Sequence, residues 1–354
     1  MKTITIGSRQ IGPHTPPFIV AEISANHNQS LEQALLLVQA AKAAGVDAIK
    51  LQTYTPDTMT LDIQDREFVI NDSKSPWHGK NLYQLYQEAY TPWEWHEQIF
   101  QRCRELGLIG FSTPFDITAV DFLETLNVPC YKIASLEITD HALIKAAAAT
   151  GKPVIISTGA ATLEEIDEAV TVAREAGCEQ LVLLKCTSAY PASPLDANLR
   201  TLPHLAETFD TLVGLSDHTL GMSVAVASVA LGACLIEKHF TLSRADCGLD
   251  CSFSLEPQEF SELVSETKIA WQALGKQQYG PTKSEATSIS LRRSLYFVKE
   301  LKKGESIAAE HIQAIRPGSG LPPKELERLI GRRVNTNVKR GQAVRWELLT
   351  VEET

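Results

Sequence analysis

The sequence predicts a parallel (β/α)8 barrel followed by a small C-terminal α+β module. Eight short apolar runs occur within the first 250 residues, and each ends in a polar or charged cluster. Helix-like segments separate most of these runs, an alternation that is typical of a parallel sheet. Eight units over this length favour a closed barrel. An open, doubly wound sheet is the alternative, but no Gly-x-Gly-x-x-Gly motif follows the first run.

The predicted strands end in charged residues that an ordinary buried strand does not need. In a parallel barrel the carboxyl ends of the strands meet at one rim, where active sites lie. The sequence therefore predicts a polar site at this rim. In chain order the runs are FIVAEIS from Phe18, AIKLQT from Ala48, LIGFSTPF from Leu108, CYKIAS from Cys130, VIISTG from Val154, LVLLKCTS from Leu181, TLVGLSDHT from Thr211 and CLIEKHF from Cys234.

The connections between the runs have the apolar spacing of helices. In the first of them, Ser30 is a start signal and Gly45 is a stop signal. The sixth connection, DANLRTLPHLAETF, is weaker but compatible with a helix. The joints are short, as expected for barrel units.

One connection is unusually long. Residues 54–91 separate the second run from its helix, and a long excursion at the catalytic end of a barrel is typical of a lid or binding loop. Trp77, His78 and Tyr83 are its candidates for ligand contact. Packing of the same three side chains between the excursion and the barrel is the alternative.

Composition and charge exclude several classes of protein. The chain has 354 residues, of which 44 % are apolar and 21 % charged, as in soluble globular proteins. No apolar stretch reaches membrane-spanning length and the N-terminus lacks a signal-peptide core, so we expect a cytoplasmic protein without membrane association. A net charge of −10 argues against nucleic-acid binding.

The charge is unevenly distributed along the chain. Residues 291–354 contain 13 Lys+Arg and 8 Asp+Glu, a net of +5, which leaves −15 for the residues before them. A basic module and an acidic one can dock by electrostatic attraction, within one chain or between two.

The cysteines indicate reduced, buried thiols rather than disulfides. There are seven, an odd number, and no Cys-x-x-Cys pair occurs. Cys247 and Cys251 are the only close pair, and two cysteines without further ligands make a poor zinc site.

We place the barrel at residues 1–274, a linker at 275–290 and the terminal module at 291–354. The linker, GKQQYGPTKSEATSIS, is polar and contains Gly, Pro and Ser. In the module we expect a strand at SLYFV, a turn at KKGES, a helical turn at IAAEHI and a loop at RPGSGLPP, with VKRGQAVRWELL closing it.

Two histidines end the last two predicted strands, which are neighbours in a barrel. His218 and His239 would converge at the rim and could hold a divalent metal with open positions for oxygen ligands, with Asp217 and Glu237 beside them. A structural role for each histidine is the alternative.

Strand periodicity brings further polar side chains onto shared faces. A ligand explains several buried charges in one barrel better than ion pairing alone, because burying paired charges is costly. Lys238 is expected to face away from the site. The groups expected to share a face are Lys50 with Gln52, Ser216 with His218, Glu237 with His239, and Glu22 with Ser24 and Asn26.

Lysines and hydroxyls together suit an anionic substrate that carries phosphate and carboxylate groups. A Schiff-base role for Lys132 or Lys50 is the competing interpretation, which an adjacent metal disfavours. The hydroxyls are those of Thr113, Ser135, Ser157, Ser188 and Ser216.

Eight motifs in order resemble the sialic acid synthase family: FIVAEISANH, AIKLQTYTPD, FSTPFD, YKIASLE, PVIISTG, LKCTSAYP, GLSDHT and EKHF. SLYFVKELKKGE and IRPGSGLPP resemble that family's antifreeze-protein-like (SAF) domain. The resemblance covers nearly the whole chain. Within the family, ISANH, KNLYQLYQEAYTPWEWH and KCTSAYP are most similar to the pseudaminic acid synthases.

The resemblance implies a metal-dependent condensation of phosphoenolpyruvate with the open-chain aldehyde of an amino sugar. For the pseudaminic acid branch this sugar is 2,4-diacetamido-2,4,6-trideoxy-L-altrose. The expected metal is Mn²⁺, with Mg²⁺ or Co²⁺ also compatible. An N-acetylneuraminate or legionaminate synthase is the nearest alternative, and a metal-dependent pyruvate aldolase is an alternative of another class.

The resemblance also assigns roles to residues of this chain. His218 and His239 match metal ligands, and Glu22 and Glu137 match catalytic carboxylates, with Glu22 expected to activate water or to stabilise cationic character. Ser188 stands where neuraminate enzymes carry Asn. The phosphoenolpyruvate cradle is matched by Lys50, Gln52, Thr113, Lys132, Ser135, Ser157, Ser188 and Ser216, and the sugar-facing positions by Phe115, Glu137, Tyr190 and Asp250.

Arg316, in RPGSG, matches an arginine that reaches from the SAF domain into the barrel of a partner subunit. The resemblance therefore implies a domain-swapped homodimer, which agrees with the charge split. A non-enzymatic alternative treats the basic module as a binding domain for carbohydrate or nucleic acid.

Overall fold

The computed structural model of the chain describes residues 3–73, 75, 77–246 and 248–350. The chain divides into two compact units, Met1–Gly275 and Lys276–Thr354.

The first unit is a closed barrel of eight parallel strands, as the sequence predicts. Neighbouring registers bring Glu22 level with both His239 and Lys50, and Gln52 level with Thr113. The strand ends therefore place their polar side chains on one rim. The barrel strands are β3 Phe18–Glu22, β4 Ala48–Thr53, β5 Ile109–Pro114, β6 Tyr131–Ile133, β7 Val154–Ser157, β8 Leu181–Cys186, β9 Leu212–Asp217 and β10 Ala233–His239.

A hairpin that the sequence analysis does not anticipate closes the opposite end of the barrel. Strands β1 Ile4–Ile6 and β2 Arg9–Ile11 pair antiparallel. Their isoleucines join a lumen core with Phe18, Phe111 and Leu235, among others. The lower lumen is thus filled with apolar side chains, and the polar groups are confined to the upper end.

Helices surround the barrel where the connections predict them. Ser30 caps the first helix by accepting from the Gln33 amide at 3.2 Å, and Gly45 ends it with φ +87°. Both signals read from the sequence are confirmed. The helices of this unit are α1 Leu31–Ala44, α2 Pro56–Met59, α3 Leu82–Ala89, α4 His96–Glu105, α5 Ile117–Thr125, α6 His141–Ala149, α7 Leu163–Glu175, α8 Thr201–Phe209, α9 Ser223–Val229 and α10 Pro257–Leu274.

The long excursion after β4 contains α2 and α3. Asn81 caps α3 by accepting from the amides of Tyr83 and Gln84, and its side-chain amide donates to the Ile63 carbonyl at 2.8 Å. Gln29, from the loop after β3, donates to the carbonyls of the excursion's last residues at 3.0 and 2.7 Å. These contacts hold the excursion against the loop that follows β3.

The second unit is a small α+β module with its own apolar core. Strands β11 Ser294–Phe297 and β12 Ile312–Ile315 pair antiparallel, and helix α12 Leu326–Leu329 packs beside them. A short helix, α11 Ala286–Ile289, lies within the segment that the sequence suggests is a linker. None of the helices in the described parts of the chain is long and apolar enough to cross a membrane.

The six cysteines among the described residues are free and buried. Cys251 lies 3.3 Å from the Thr241 hydroxyl and 3.4 Å from the Asn26 amide oxygen. Cys247 lies outside the described residues, so the close cysteine pair remains a sequence observation.

Candidate active site

The upper lumen is organised around the Lys50 ammonium group. It forms a salt bridge with Glu22, lies 3.5 Å from the Glu237 carboxylate, and donates to the Thr113 hydroxyl at 3.2 Å. Ser216 donates to the same Glu237 carboxylate at 3.2 Å. These contacts show that Lys50, Ser216 and Glu237 all face the lumen, as the strand periodicity predicts.

A second lysine, Lys132, lies in the same lumen with few partners. Its ammonium group donates to the carbonyl of Ile133 at 3.0 Å, and it is 2 % exposed. Burial lowers its pKa, which the nearby Glu237 carboxylate partly opposes. A buried ammonium with one neutral acceptor is suited to receive an anion, because charge-assisted bonds compensate its desolvation.

The Glu22 carboxyl is also strongly affected by burial. Burial raises its pKa to about 7; Lys50 opposes the rise and Glu237 adds to it. For Lys50, the two carboxylates outweigh burial and raise its pKa. The cluster is therefore a charged lysine shared between two carboxyl groups, of which Glu22 is the one closer to protonation.

Several polar atoms of the lumen lack a hydrogen-bond partner. They are buried, and a buried polar atom without a partner costs roughly 1–3 kcal/mol. Such atoms in a lumen indicate a place for a ligand. Among the described residues they include Ser157 Oγ, Glu137 Oε2, Glu237 Oε2 and His239 Nδ1.

The two histidines converge as predicted. The ring centroids of His218 and His239 are 5.3 Å apart, and Tyr190 packs against both rings. His218 Nδ1 donates to the Thr187 carbonyl at 2.9 Å, which orients the ring and leaves Nε2 available. His239 Nδ1 lies 3.7 Å from the Asp250 carboxylate.

The donor set fits a divalent metal only in part. The buried, unpartnered nitrogen of His239 and the oriented ring of His218 are suitable for one. No group of three or more His, Cys, Asp or Glu side chains with the arrangement of a metal site occurs in the described ranges. A metal would thus take two protein nitrogens and depend on water or substrate oxygens for the rest.

The sequence suggests that Asp217 lies beside the histidines, but the structure places it elsewhere. Its carboxylate accepts from Lys238 at 2.8 Å and from the amide and hydroxyl of Thr219 at 2.9 and 2.8 Å. Successive side chains of a strand point to opposite faces, so Asp217 and Lys238 lie outside the lumen. The prediction that Lys238 faces away is confirmed, and the placement of Asp217 is corrected.

The strand periodicity that predicts a shared face for Glu22, Ser24 and Asn26 does not hold beyond Glu22. Strand β3 ends there, and a 3₁₀ turn over Ser24–His27 begins with Ser24 at φ +46°. Ser24 remains at the site and donates to Asp250 at 2.5 Å. Asn26 turns away and donates to the Phe240 carbonyl at 2.8 Å and the Ser254 hydroxyl at 2.9 Å.

A cavity of about 300 Å³ opens above the charged lumen. Seven residues at or near the strand ends form the polar end of this cavity, and the excursion forms much of its remaining lining. Its polar lining includes Ser24, Gln52, Ser135, Glu137, Tyr190, His239 and Asp250, with Phe115 beside them.

The remaining predicted residues lie deeper or elsewhere. Glu22, Lys50, Thr113, Lys132, Ser157 and Ser216 are buried in the lumen below the cavity. Ser188 is half-buried, with its hydroxyl 4.0 Å from Cys186 Sγ. Arg316 belongs to the other unit, where it is exposed in a loop whose Pro317 carbonyl accepts from Ser294 at 2.6 Å.

Of the three candidates for ligand contact on the excursion, only Trp77 lines the cavity. Tyr83 bonds Asp57 at 3.0 Å instead, and His78 is exposed. Glu237, which the sequence predicts at the site, lies between both lysines. Tyr54 also lines the cavity, and no signal in the sequence distinguishes it from its neighbours.

Gly159 is a further residue of this kind. Its amide donates to the Ser135 hydroxyl at 3.0 Å. A Cβ at this position would lie 2.7 Å from Ser135 Oγ and still closer to Ser188 Oγ. The two hydroxyls, the Cys186 thiol and the backbone can approach one another only because residue 159 has no side chain.

The comparisons with known proteins agree with this geometry. Residues 37–279 match the model of the NeuB family, and residues 292–350 match the SAF domain. The chain belongs to the NeuB family. Its predicted membership of the sialic acid synthase family is thereby confirmed, together with the barrel, the SAF domain and the expectation of a transferase enzyme.

Three curated relatives bear on the branch of the family. The pseudaminic acid synthases of Campylobacter jejuni and Helicobacter pylori are 42 % and 43 % identical over 93 % and 92 % of this chain, and each is covered to 95 %. The N,N'-diacetyllegionaminic acid synthase of Legionella pneumophila is 36 % identical over 96 % of this chain and 97 % of its own.

A solved structure shows the same fold. The N-acetylneuraminic acid synthetase of Leptospira borgpetersenii, in complex with citrate, superposes with a TM-score of 0.72 at 33 % identity, covering 81 % of this chain and 95 % of that one.

Proposed function

We propose that this protein is a pseudaminic acid synthase. It condenses phosphoenolpyruvate with 2,4-diacetamido-2,4,6-trideoxy-L-altrose and releases phosphate. The observation that carries the proposal is the pair of buried lysines, Lys50 and Lys132, in a lumen that contains unpartnered polar atoms and opens into a cavity. The higher identity to pseudaminic than to legionaminic acid synthases supports the choice of sugar.

The lysine side of the lumen binds phosphoenolpyruvate in this proposal. Lys132 and Lys50 neutralise its phosphate and carboxylate, and the lumen hydroxyls donate to its oxygens. The hydroxyls that serve this role are those of Thr113, Ser135, Ser157, Ser188 and Ser216, with the Gln52 amide at the entrance.

The chemistry needs two bonds to form and one to break. Carbon 3 of phosphoenolpyruvate bonds to the aldehyde carbon, and the aldehyde oxygen gains a proton. Water adds to carbon 2 and loses one proton. The bond from carbon 2 to the phosphate oxygen then breaks, the new hydroxyl loses its second proton to the departing phosphate, and a ketone remains. Glu22 lies in contact with Lys50, at the phosphoenolpyruvate end, and is the group proposed to orient the water and accept its proton.

His218 and His239 are proposed to hold a divalent metal, with Mn²⁺ the expected ion and Mg²⁺ or Co²⁺ compatible. A metal held by these two residues would polarise the aldehyde carbonyl. Thr187 orients His218, and Tyr190 packs against both imidazoles and limits their movement. Asp250 and Glu137 present carboxylate oxygens to the cavity for the sugar hydroxyl and amide groups.

A second copy of the chain is proposed to complete the site. The family resemblance assigns Arg316 to the barrel of a partner subunit in a domain-swapped homodimer. Three leucines in the rim loops, Leu136, Leu195 and Leu220, are 72 %, 90 % and 62 % exposed, which suits burial against another surface. The opposite charges of the two parts of the chain favour the same contact. A cytoplasmic location stays a prediction.

A phosphate-release screen tests the function. The purified protein receives Mn²⁺, phosphoenolpyruvate and one of three sugars: the trideoxy-altrose, its legionaminic counterpart or N-acetylmannosamine. We expect phosphate release to be fastest with the first. Fastest release with another sugar would make the chain a sister synthase, and product formation from pyruvate without phosphate would make it an aldolase.

Removal and return of the metal test the metal assignment. Chelation should abolish turnover and Mn²⁺ should restore it, whereas His239→Ala should not be restored. If His239→Ala kept full turnover after chelation, the metal assignment would be wrong.

Arg316→Ala should raise the KM for the sugar, and sedimentation should show a dimer.

A further inference from the structure

The cavity above the lumen has two chemically different walls. Its inner wall carries the polar groups of the strand ends. Its outer wall is apolar and comes mainly from the excursion, together with one residue of the loop after β10. The apolar lining residues of this outer wall are Met59, Ile70, Trp77, Leu82, Leu85, Tyr86 and Leu249.

Helix α3 presents its apolar stripe to this cavity. Leu82, Leu85, Tyr86 and Ala89 follow the spacing i, i+3, i+4 and i+7, and all four line the cavity. Such a stripe normally packs against a core, yet none of the four belongs to the hydrophobic clusters of the described residues. A stripe that faces open space is available to a ligand instead.

The excursion is anchored at several points, so its wall is part of the folded structure. The Trp77 ring nitrogen donates to the Leu249 carbonyl at 3.2 Å, and its ring packs 5.8 Å from Tyr190. Tyr86 packs edge-on against Tyr54, whose ring contacts Phe115 at 5.2 Å. This chain of rings joins the excursion to the strand-end residues of the polar wall.

We infer that this apolar wall selects the sugar by its methyl-bearing substituents. It would accept a sugar with a deoxy carbon and N-acyl methyl groups, and it would disfavour one with hydroxyl groups in their place. The inference rests on the proposed function and deepens it. It assigns sugar specificity to the excursion, residues 54–91, and leaves the condensation itself to the lumen.

The expected size of the effect follows from the chemistry of the wall. A hydroxyl placed against an apolar surface loses its water without gaining a partner. An apolar pocket rejects an added hydroxyl by roughly 100-fold at most, and one lost methyl group is worth about 10- to 200-fold. We therefore expect a preference for the trideoxy sugar over its 6-hydroxy counterpart of about 10- to 100-fold in kcat/KM.

Two polar substitutions test the wall with little change of shape: Leu82→Asn is near-isosteric, and Ile70→Thr keeps the branch at Cβ while removing one carbon. Leu82→Asn and Ile70→Thr place polar groups on the lining and should lower the ratio of kcat/KM, trideoxy sugar over 6-hydroxy counterpart, by about 10-fold each. The KM for phosphoenolpyruvate should stay unchanged. Leu61→Asn is the matched control, because Leu61 lies on the same excursion but is 59 % exposed and does not line the cavity.

The outcomes separate this inference from the proposed function. If the wild type turns over the trideoxy sugar and both lining variants keep its preference, the specificity role is overturned and the synthase activity stands. If the wild type uses none of the sugars, the proposed function fails. Thermal melting of all variants shows whether they are folded; Ile70→Thr alone, which keeps the branched shape, decides the question if Leu82→Asn unfolds.

Discussion

Two buried charge clusters occupy opposite faces of the same two strands, β9 and β10, and their hydrogen bonding differs. Outside the lumen, Lys238 binds Asp217 and also donates to the Thr219 carbonyl, and Asp217 accepts two further bonds. Inside it, Glu237 keeps an unpartnered oxygen. The lysine of β6, Lys132, has one neutral acceptor.

The difference shows how to recognise a functional buried charge. A cluster whose bonds are all made within the protein holds strands and loops together, since its desolvation is compensated. A cluster with missing bonds is destabilising until a ligand or a water molecule supplies them. Burial alone does not distinguish the two, because Lys132 and Lys238 are 2 % and 1 % exposed.

The largest expected effect comes from Lys132→Met. Removal of this ammonium should lower kcat/KM for phosphoenolpyruvate by about 1,000-fold, or about 4 kcal/mol, because a charge-assisted contact in the lumen is lost. The melting temperature should change little. Phosphate release and thermal melting measure the two quantities, and a variant that is mainly unstable would make Lys132 a structural residue like Lys238.

The complementary change, Lys238→Met, should act on stability. It leaves the Asp217 carboxylate buried without its cation, although Thr219 still donates to it, at a cost of about 3 kcal/mol in the free energy of unfolding. Denaturant unfolding measures this cost. The folded fraction should retain its KM for phosphoenolpyruvate; a raised KM with unchanged stability would contradict the comparison.

A smaller effect is expected from Gly159→Ala. The added methyl group would crowd the hydroxyls of Ser135 and Ser188, so the KM for phosphoenolpyruvate should rise about 30-fold, or about 2 kcal/mol. Gly151→Ala is the control, since a Cβ at Gly151 meets no atom within 4 Å but strains a backbone at φ +74°. The control should lose some stability and keep its KM.

The smallest effect concerns two neutral histidines outside the lumen. Burial lowers the pKa of His27 and of His96 to about 4. The folded protein disfavours protonation of both histidines. The stability that their neutral forms contribute is therefore complete above pH 6.5 and is lost as the pH falls from 6.5 towards 4.

A loss of about 1 kcal/mol per histidine is expected, less than the full shift because local rearrangement admits water. His96→Gln should flatten the dependence of the unfolding free energy on pH over this window. An unchanged slope would show that protonation of His96 costs the folded protein little free energy.

Much of the fold could be predicted from the sequence, for a local reason. Strand and helix periodicities, Ser30 and Gly45 are properties of short segments, and the alternation that predicts the barrel follows from them. The period of two also brought Lys50, Ser216 and Glu237 to the lumen correctly. It failed where the strand ended, because Ser24 begins a tight turn at φ +46° and the alternation no longer applies at Asn26.

What only the tertiary structure decided concerns long-range contacts. The N-terminal hairpin that fills the lower lumen, the Asp217–Lys238 pair outside it and the apolar stripe of α3 above the cavity all depend on packing between distant segments. A stripe at Leu82, Leu85, Tyr86 and Ala89 has the same spacing whether it faces a core or an open cavity. The sequence alone determined the barrel and the composition of its rim; which buried charges remain without partners was determined by how the strands and loops pack around them.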